Sequence, residues 1–490
     1  MHKTKKSTSL FKNTSVYLFS SLFSFIIPIL LLPVYTRFLS LSDYGIIILF
    51  TMFGGLVSNF ISLNLYFSSY LSYFKLKKDP ENYKTLNSTN FIANCVIFSI
   101  AAIFLYFSID WISTYIFENQ LTKKLILLSF LSGCFGYFIL YLNMLLIVQG
   151  LAISSTIVTI SLILLDASLT LYFILGKSLT FMARVYAIPI SQGIIVIVLF
   201  VLNRKLFALR FSLKYLKESL KISSPLILNS GIGVIQDSFD KTMLNQLTGI
   251  ISVGYFSFGT KFAAGVKMIS DSVDKVFNPF FLESANRKTE KGKEEIVNMF
   301  YKVAFFVICI GLCVIYFSEE LIIILTTKEF YPSMYITPIF VWYYLIGVMS
   351  KISMNQISFS EKTAYILPGT IVMVLINIIL NILLIPKHGA IGAAFATSIS
   401  ALFSQSILYF FGRKLYPLPL KIKKILILYT YLLGLTILIY PIMFLEINFF
   451  FKIGIKILII TLFVFSGIRL EFISKSDILL LLKKINIRSK

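Results

Sequence analysis

Histidine and cysteine are both scarce in this sequence, and their positions argue against several kinds of chemistry. The two histidines, His2 and His388, lie in the N-terminal tail and in a loop, which argues against a catalytic histidine or a histidine metal site. All four cysteines lie within apolar stretches, so we expect packing residues and no disulfide framework. The sequence therefore predicts no catalytic residue, no metal site and no cofactor.

Other signals are also missing. The motif G-x-x-x-x-G-K-[ST] does not occur, so the chain carries no P-loop for ATP hydrolysis. No connection between apolar stretches on the expected outer side is long enough to hold a catalytic domain. The apolar stretches lack the alternation of a membrane β-strand, which argues against a β-barrel.

What the chain does contain is apolar sequence along nearly its whole length. Of its 490 residues, 57% are hydrophobic, and each apolar stretch is about as long as a membrane-spanning helix. The fold class predicted is all-α, a polytopic membrane protein of about fourteen helices. The expected spans are 15–36, 45–70, 90–115, 125–148, 155–175, 182–203, 224–248, 252–280, 299–325, 333–357, 363–385, 389–411, 422–445 and 450–469.

The net charge of +23 fits a membrane protein better than a nucleic-acid-binding protein. The tails and the connections after even-numbered spans hold several-fold more Lys and Arg than the other connections. Basic loops stay on the cytoplasmic side, so both termini are expected there, with no nucleic-acid partner.

Two similar turns suggest how the chain is divided. Tyr44-Gly45 begins the second span and Gly254-Tyr255 begins the eighth, each after a short polar turn. We expect an N-lobe over 1–203, a C-lobe over 224–411, and helices 13–14 with a basic tail over 412–490. The linker 204–223 carries basic and leucine residues at helical spacing, which predicts an amphipathic helix lying flat on the anionic inner leaflet.

Charged residues inside the spans are the candidate functional residues, because a charge within the bilayer usually faces a partner or a wet cavity. Lys241, Lys261 and Lys351 lie well inside spans, and an acidic partner for each is not evident from the sequence. Asp237 lies four residues before Lys241, so this pair can neutralise itself on one helix face. Structural ion pairs are the alternative for each residue; a set of deep cations would attract an anionic headgroup.

Three stretches carry a resemblance to a known family. They are Pro33–Gly45 (PVYTRFLSLSDYG), Ser238–Leu244 followed by Val253–Tyr255 and Lys261, and Asn377–Ser400 (NIILNILLIPKHGAIGAAFATSIS). With the number and orientation of spans, they resemble the Wzx-type polysaccharide flippases, which move O-antigen or capsule repeat units. These belong to the multidrug/oligosaccharidyl-lipid/polysaccharide (MOP) exporter superfamily.

The resemblance implies two six-helix lobes around a central basic cavity, followed by two C-terminal helices. It implies a flippase, not an enzyme, that moves undecaprenyl-diphosphate-linked glycan outward across the bacterial cytoplasmic membrane by alternating access. Besides that substrate and membrane lipids, partners would include the polysaccharide polymerase and chain-length machinery. Candidate substrate-binding residues are Arg37, Lys241, Lys261 and Lys351, and candidates for ion coupling or structural pairing are Asp166, Asp237 and Asp240; of these, Arg37, Asp240 and Lys261 match family motif positions.

Other functions remain open at this point. A peptidoglycan-precursor flippase or a drug exporter of the same superfamily would share the fold, and an acidic cavity would favour the drug exporter. A membrane polymerase or acyltransferase would call for a large outer loop or an intramembrane His/Arg cluster. A purely structural scaffold would leave the charges inside the spans without a purpose.

Overall fold

Helices make up almost all of the chain that the structure describes. The computed structural model describes residues 23–76, 79–443 and 448–472, with side chains there except those of 74–75 and 224–232. No strand occurs within these ranges. The all-α class is therefore confirmed. Residues 15–22 of the first expected span, residues 444–445 of the thirteenth and both terminal tails lie outside the described residues.

The chain divides into two compact units, Met1–Gly254 and Tyr255–Lys490. Within the described residues, eight α-helices from Leu32 onward begin and end in the first unit, and a ninth begins in its last residues. The first eight are α1 (Leu32–Phe38), α2 (Leu41–Leu56), α3 (Leu65–Leu76), α4 (Pro80–Trp111), α5 (Lys123–Val148), α6 (Ala152–Leu171), α7 (Met182–Asn203) and α8 (Leu213–Thr248). The others are α9 (Ile250–Asn286), α10 (Glu290–Leu325), α11 (Ile336–Phe359), α12 (Leu367–Leu415), α13 (Ile422–Met443) and α14 (Phe449–Arg469).

Ten helical segments among the described residues are long and apolar enough to cross a membrane. One of them, Thr363–Leu415, includes α12 and covers two expected spans. A shorter apolar helix, Phe23–Phe38, corresponds to the first expected span. Helices α8 and α9, which are not among these ten segments, match the seventh and eighth expected spans in position. The protein is thus a multi-pass membrane protein, as the sequence predicts.

Helix α12 reverses direction where the sequence predicts the connection between spans eleven and twelve. Gly389 has non-helical backbone angles, with φ of 54°. The side-chain amide of Asn377 donates to the Thr397 hydroxyl at 3.4 Å. A straight helix would separate these residues by about 30 Å, so the two halves of α12 fold back on each other. The combination of this φ with a ψ of −131° is accessible at little cost only to a residue without Cβ.

The second expected span, 45–70, is interrupted. Helix α2 ends at Leu56, a π-helical turn covers Val57–Ile61, and α3 begins at Leu65. Leu63 and Asn64 have φ of 52° and 50°, in the left-handed region. The Asn64 amide donates to the Ser62 hydroxyl, which stabilises this turn locally. Hydrophobicity alone did not show the break, because the residues around it are apolar.

The sequence predicts that the linker 204–223 forms an amphipathic helix on the membrane surface. In the structure only part of the linker is helical, and that part is continuous with the next long helix. The linker begins with a short 3-10 turn, Arg204–Leu206, and continues without helix as far as Ser212. The amides of Ala208 and Ser212 donate to hydroxyls of α4. From Leu213 the chain is helical without interruption to Thr248, so the basic residues beyond Leu213 form the first turns of α8.

Two similar turns meet within the first unit. Ser40 caps α2 in a capping box with Asp43, in which each side chain binds the other residue's backbone amide. A Cβ on Gly45 would lie 2.5 Å from the Ile250 carbonyl oxygen, and one on Gly254 would lie 2.7 Å from the Leu41 carbonyl oxygen. The starts of α2 and α9 therefore pack reciprocally, and both glycines are required for this close approach.

Candidate functional site

Four charged side chains of α9 and α11 form a cluster in the second unit, here called the α9–α11 cluster. Its members are Lys267, Asp271 and Asp274 of α9 and Lys351 of α11. The Lys351 ammonium lies 2.9 Å from one oxygen of Asp271 and 3.7 Å from Asp274. The other Asp271 oxygen lies 3.2 Å from the Lys267 ammonium. Asp271 therefore bridges two ammonium groups, and the two lysines balance the two carboxylates.

The helices explain why these side chains meet. Lys267, Asp271 and Asp274 are spaced by four and three residues, so they share one face of α9. Lys351 reaches them from eight residues before the end of α11, about 12 Å along that helix. The four side chains stay accessible, because their exposed fractions range from 21% for Lys351 to 59% for Lys267. The cluster is therefore accessible to a polar ligand.

The first unit holds an ion pair in which the carboxylate is exposed and the lysine is largely shielded. The Lys241 ammonium lies 2.6 Å from Asp237, one turn earlier in α8. The sequence predicted this pairing from the four-residue spacing, and the structure confirms it. Asp240 beside them is buried with 3% exposure. Lys261, in the second unit, is exposed on α9.

Arg37 and Asp166 occupy different surroundings in the first unit. Arg37 is exposed in the last turn of α1. Asp166 of α6 pairs with Arg184 of α7 at 2.5 Å, and the Arg184 guanidinium lies 5.5 Å from the centre of the Tyr35 ring. This contact ties α6, α7 and α1 together. It favours structural pairing for Asp166 over ion coupling.

The argument that deep lysines lack evident acidic partners was wrong for Lys351. Its partners, Asp271 and Asp274, are about 80 positions away along the chain and are brought close only by the packing of α9 against α11. Lys351 is thus part of a neutral, exposed cluster and is not an isolated cation. An incoming anion must compete with carboxylates already present.

The sequence analysis did not identify a second cluster in the second unit, here called the buried quartet. Lys452 of α14 lies 2.6 Å from Glu319 of α10, while Lys456 lies 2.8 Å from Glu319 and 2.6 Å from Glu320. Lys456 has no exposed side-chain area. The lysines are four residues apart in one apolar span, and the glutamates are adjacent in another. These opposite charges within two apolar spans could have indicated an ion-pair cluster between them.

The second unit also holds an apolar cavity of about 410 Å³. Its walls come from α10, α11, α12 and α13, with Trp342 and Tyr429 among them and Gln405 as one of few polar side chains. None of the charged residues discussed above lines it. The cavity therefore suits an apolar group better than a charged one.

The fold is that of transporters that move lipids or drugs across membranes. The structure aligns with a solved structure titled "Lipid II flippase MurJ, inward closed conformation" with a TM-score of 0.67 and 20% identity, covering 94% of this chain and 98% of that chain. It also aligns with an inward-facing multidrug resistance MATE family transporter of the MOP superfamily, with a TM-score of 0.65 and 14% identity over 81% of this chain and 94% of that chain.

The sequence places the chain more narrowly than the fold does. A profile of the family described as "Polysaccharide biosynthesis protein" matches residues 10–283, and the chain belongs to this family. A curated relative, the capsular polysaccharide biosynthesis protein CapF of Staphylococcus aureus, is 26% identical over 205 residues. That alignment covers 41% of this chain and 51% of CapF, so the chain matches about half the length of this relative.

Proposed function

We propose that this protein is a flippase that moves undecaprenyl-diphosphate-linked oligosaccharide repeat units from the inner to the outer leaflet of the bacterial cytoplasmic membrane. Two findings support the proposal: membership of a polysaccharide biosynthesis family and a fold shared with lipid and drug transporters. The substrate joins a long apolar lipid to a diphosphate and a glycan. A protein that moves it needs polar, accessible groups within its membrane helices.

The α9–α11 cluster is the observation that carries the proposal. Charges are costly inside a bilayer, at roughly 2.5–3.5 kcal/mol each on insertion scales. Four accessible charges lie on α9 and α11, which match the eighth and tenth expected spans in position. Lys351 is the proposed headgroup ligand there, and Lys241, Lys261 and Arg37 are proposed to contact the substrate at other stages of its passage. Asp237 and Asp240 stay candidates for coupling an ion.

The electrical potential of the membrane supports the outward direction. A diphosphate carries about two negative charges, and a cell interior at −100 mV favours outward movement by roughly 2.3 kcal/mol per charge. Alternating access of the site to the two sides of the membrane then needs no nucleotide. The released repeat unit would pass to the polymerase and chain-length machinery on the outer side.

The experiment is surface-glycan analysis of a deletion strain, with lipid-linked intermediates assayed by leaflet. We expect undecaprenyl-linked repeat units to accumulate on the cytoplasmic side and surface polysaccharide to be lost. Units accumulating unpolymerised on the outer side would instead indicate a polymerase. Unchanged glycan with altered drug sensitivity would indicate an exporter. Complementation with the Lys351→Ala variant, at equal membrane abundance, should fail to restore the polysaccharide.

A peptidoglycan-precursor flippase is the second candidate, and the alignment with the lipid II flippase structure over 94% of this chain favours it. Both substrates are diphosphate-linked glycolipids, so the same headgroup chemistry serves both. The deletion strain separates them, because loss of the only peptidoglycan-precursor flippase would stop cell-wall synthesis. Loss of a surface-polysaccharide flippase would leave the wall intact.

A further inference from the structure

We propose that the α9–α11 cluster is an exchange site for a diphosphate, in which Asp271 and Asp274 act as resident counter-ions that exclude singly charged lipid phosphates. The inference rests on the proposed function, because a flippase for a lipid diphosphate works among abundant anionic phospholipids. Lys267 and Lys351 would hold the diphosphate. The two aspartates would determine which anions reach these lysines.

The geometry of Asp271 supports exchange. Its two oxygens lie 2.9 Å and 3.2 Å from the ammonium groups of Lys351 and Lys267, one oxygen to each. A phosphoryl group can offer one oxygen to each ammonium in the same way. The electrostatic partners of Asp271 are these two lysines, and those of Asp274 are Lys351 and Asp271. Within the described residues, the four charges of the cluster therefore interact mainly with one another.

Accessibility distinguishes this cluster from the buried quartet, which has the same composition of two lysines and two carboxylates. The quartet side chains are at most 11% exposed, so an anion cannot reach its lysines. In the α9–α11 cluster Asp271 is 50% exposed, so an incoming anion can reach it. Exposed ion pairs contribute little to stability, so their exchange costs little.

Charge then determines which anion can compete. With both aspartates in place the cluster is neutral, and a phosphodiester with one negative charge gains little by replacing a carboxylate of equal charge. A diphosphate carries about twice that charge and can engage both lysines together. Among the described residues one Asp274 oxygen has no hydrogen-bond partner, and the other lies 3.7 Å from the Lys351 ammonium, so the ion pair that holds this carboxylate is a long one. The aspartates thus act by rejecting the wrong ligand, as in other specific sites.

The test measures binding of farnesyl diphosphate to the purified full chain in nanodiscs with either neutral lipid or 50% phosphatidylglycerol. For the wild type we expect affinity to change less than twofold between the two lipids. For Asp271→Asn, affinity in neutral lipid should rise up to about fivefold, the equivalent of one exposed ion pair, and phosphatidylglycerol should now reduce it. Lys351→Gln should weaken binding in both lipids.

Matched controls keep the result interpretable. Glu290→Gln alters an accessible lysine–carboxylate pair outside the cluster, Glu290–Lys293, and should leave binding unchanged. Asp271→Glu keeps the charge and should retain the wild-type selectivity if the protein folds. Asp271→Asn binding that stays insensitive to phosphatidylglycerol, or falls in neutral lipid, would overturn the inference.

The inference and the proposed function can fail separately. Cytoplasmic accumulation of repeat units in the deletion strain, together with unchanged lipid selectivity of Asp271→Asn, would retain the flippase and reject the exchange site. Selective diphosphate binding that depends on Asp271, in a protein whose deletion leaves glycans unchanged, would retain the site and reject the polysaccharide substrate.

Discussion

Replacing Lys456 with methionine tests how the buried quartet holds α14 to α10. Lys456 contacts Glu319 and Glu320 and has no exposed side-chain area. In the variant Glu319 keeps Lys452 at 2.6 Å, whereas Glu320 has no other ion pair within the described ranges. One of its oxygens already lacks a hydrogen-bond partner. The substitution therefore leaves an uncompensated negative charge between apolar helices.

The size of the effect follows from that single charge. Breaking a buried ion pair by removing one partner costs about 3–5 kcal/mol, and a charge at mid-membrane costs roughly 2.5–3.5 kcal/mol. We expect Lys456→Met to lower the free energy of unfolding by about 3 kcal/mol on these grounds. Adding Glu320→Gln should restore at least about 2 kcal/mol, because the amide carries no charge.

The measurement is denaturant unfolding in detergent micelles, followed by tryptophan fluorescence. The chain has two tryptophans, and Trp342 of α11 reports on the unit that holds the quartet. Lys123→Met serves as a control, since Lys123 pairs with Asp110 where both side chains are more than 60% exposed; it should cost at most about 1 kcal/mol. A Lys456→Met variant as stable as this control, or a double variant less stable than the single one, would refute the reasoning.

Three further predictions use the same unfolding measurement. Gly45→Ala should cost about 1–3 kcal/mol, because the new methyl group would meet the rigid Ile250 carbonyl at 2.5 Å; no loss would show that this contact is loose. Ser40→Ala removes the cap of α2 and should cost about 0.5–2 kcal/mol, and an unchanged stability would contradict the capping role. Arg184→Gln should destabilise by up to about 3 kcal/mol and Asp166→Asn should recover part of it; additive losses would exclude a coupled pair.

Local signals in the sequence predicted well, whereas contacts between distant residues did not follow from them. The turn at Gly249, the reversal at Gly389 and the Asp237–Lys241 pair each depend on residues within a few positions of one another. The partners of Lys351 lie about 80 positions away, and those of Lys456 about 136. Helical periodicity shows which residues share a face, but it does not show which other helix that face contacts.

The linker illustrates a related limit. Its basic and apolar residues recur at helical spacing, and that pattern correctly indicates helix from Leu213 onward. The same pattern is compatible with a separate surface helix and with the first turns of a longer helix. In the structure, hydroxyls of α4 accept from the amides of Ala208 and Ser212, the segment 207–212 is not helical, and the residues from Leu213 onward belong to α8.

The exposed fraction of the charged side chains distinguishes the three sets of ion pairs better than their depth in the spans does. The buried quartet holds two helices together, and its lysines are sealed from any ligand. The Asp166–Arg184 pair, with 22% of each side chain exposed, is intermediate and links three helices. In the α9–α11 cluster Lys351 is as shielded as that pair, yet its partner Asp271 is half exposed. The exchange that we propose uses this difference: the ligand takes the place of the carboxylate while the lysine stays fixed.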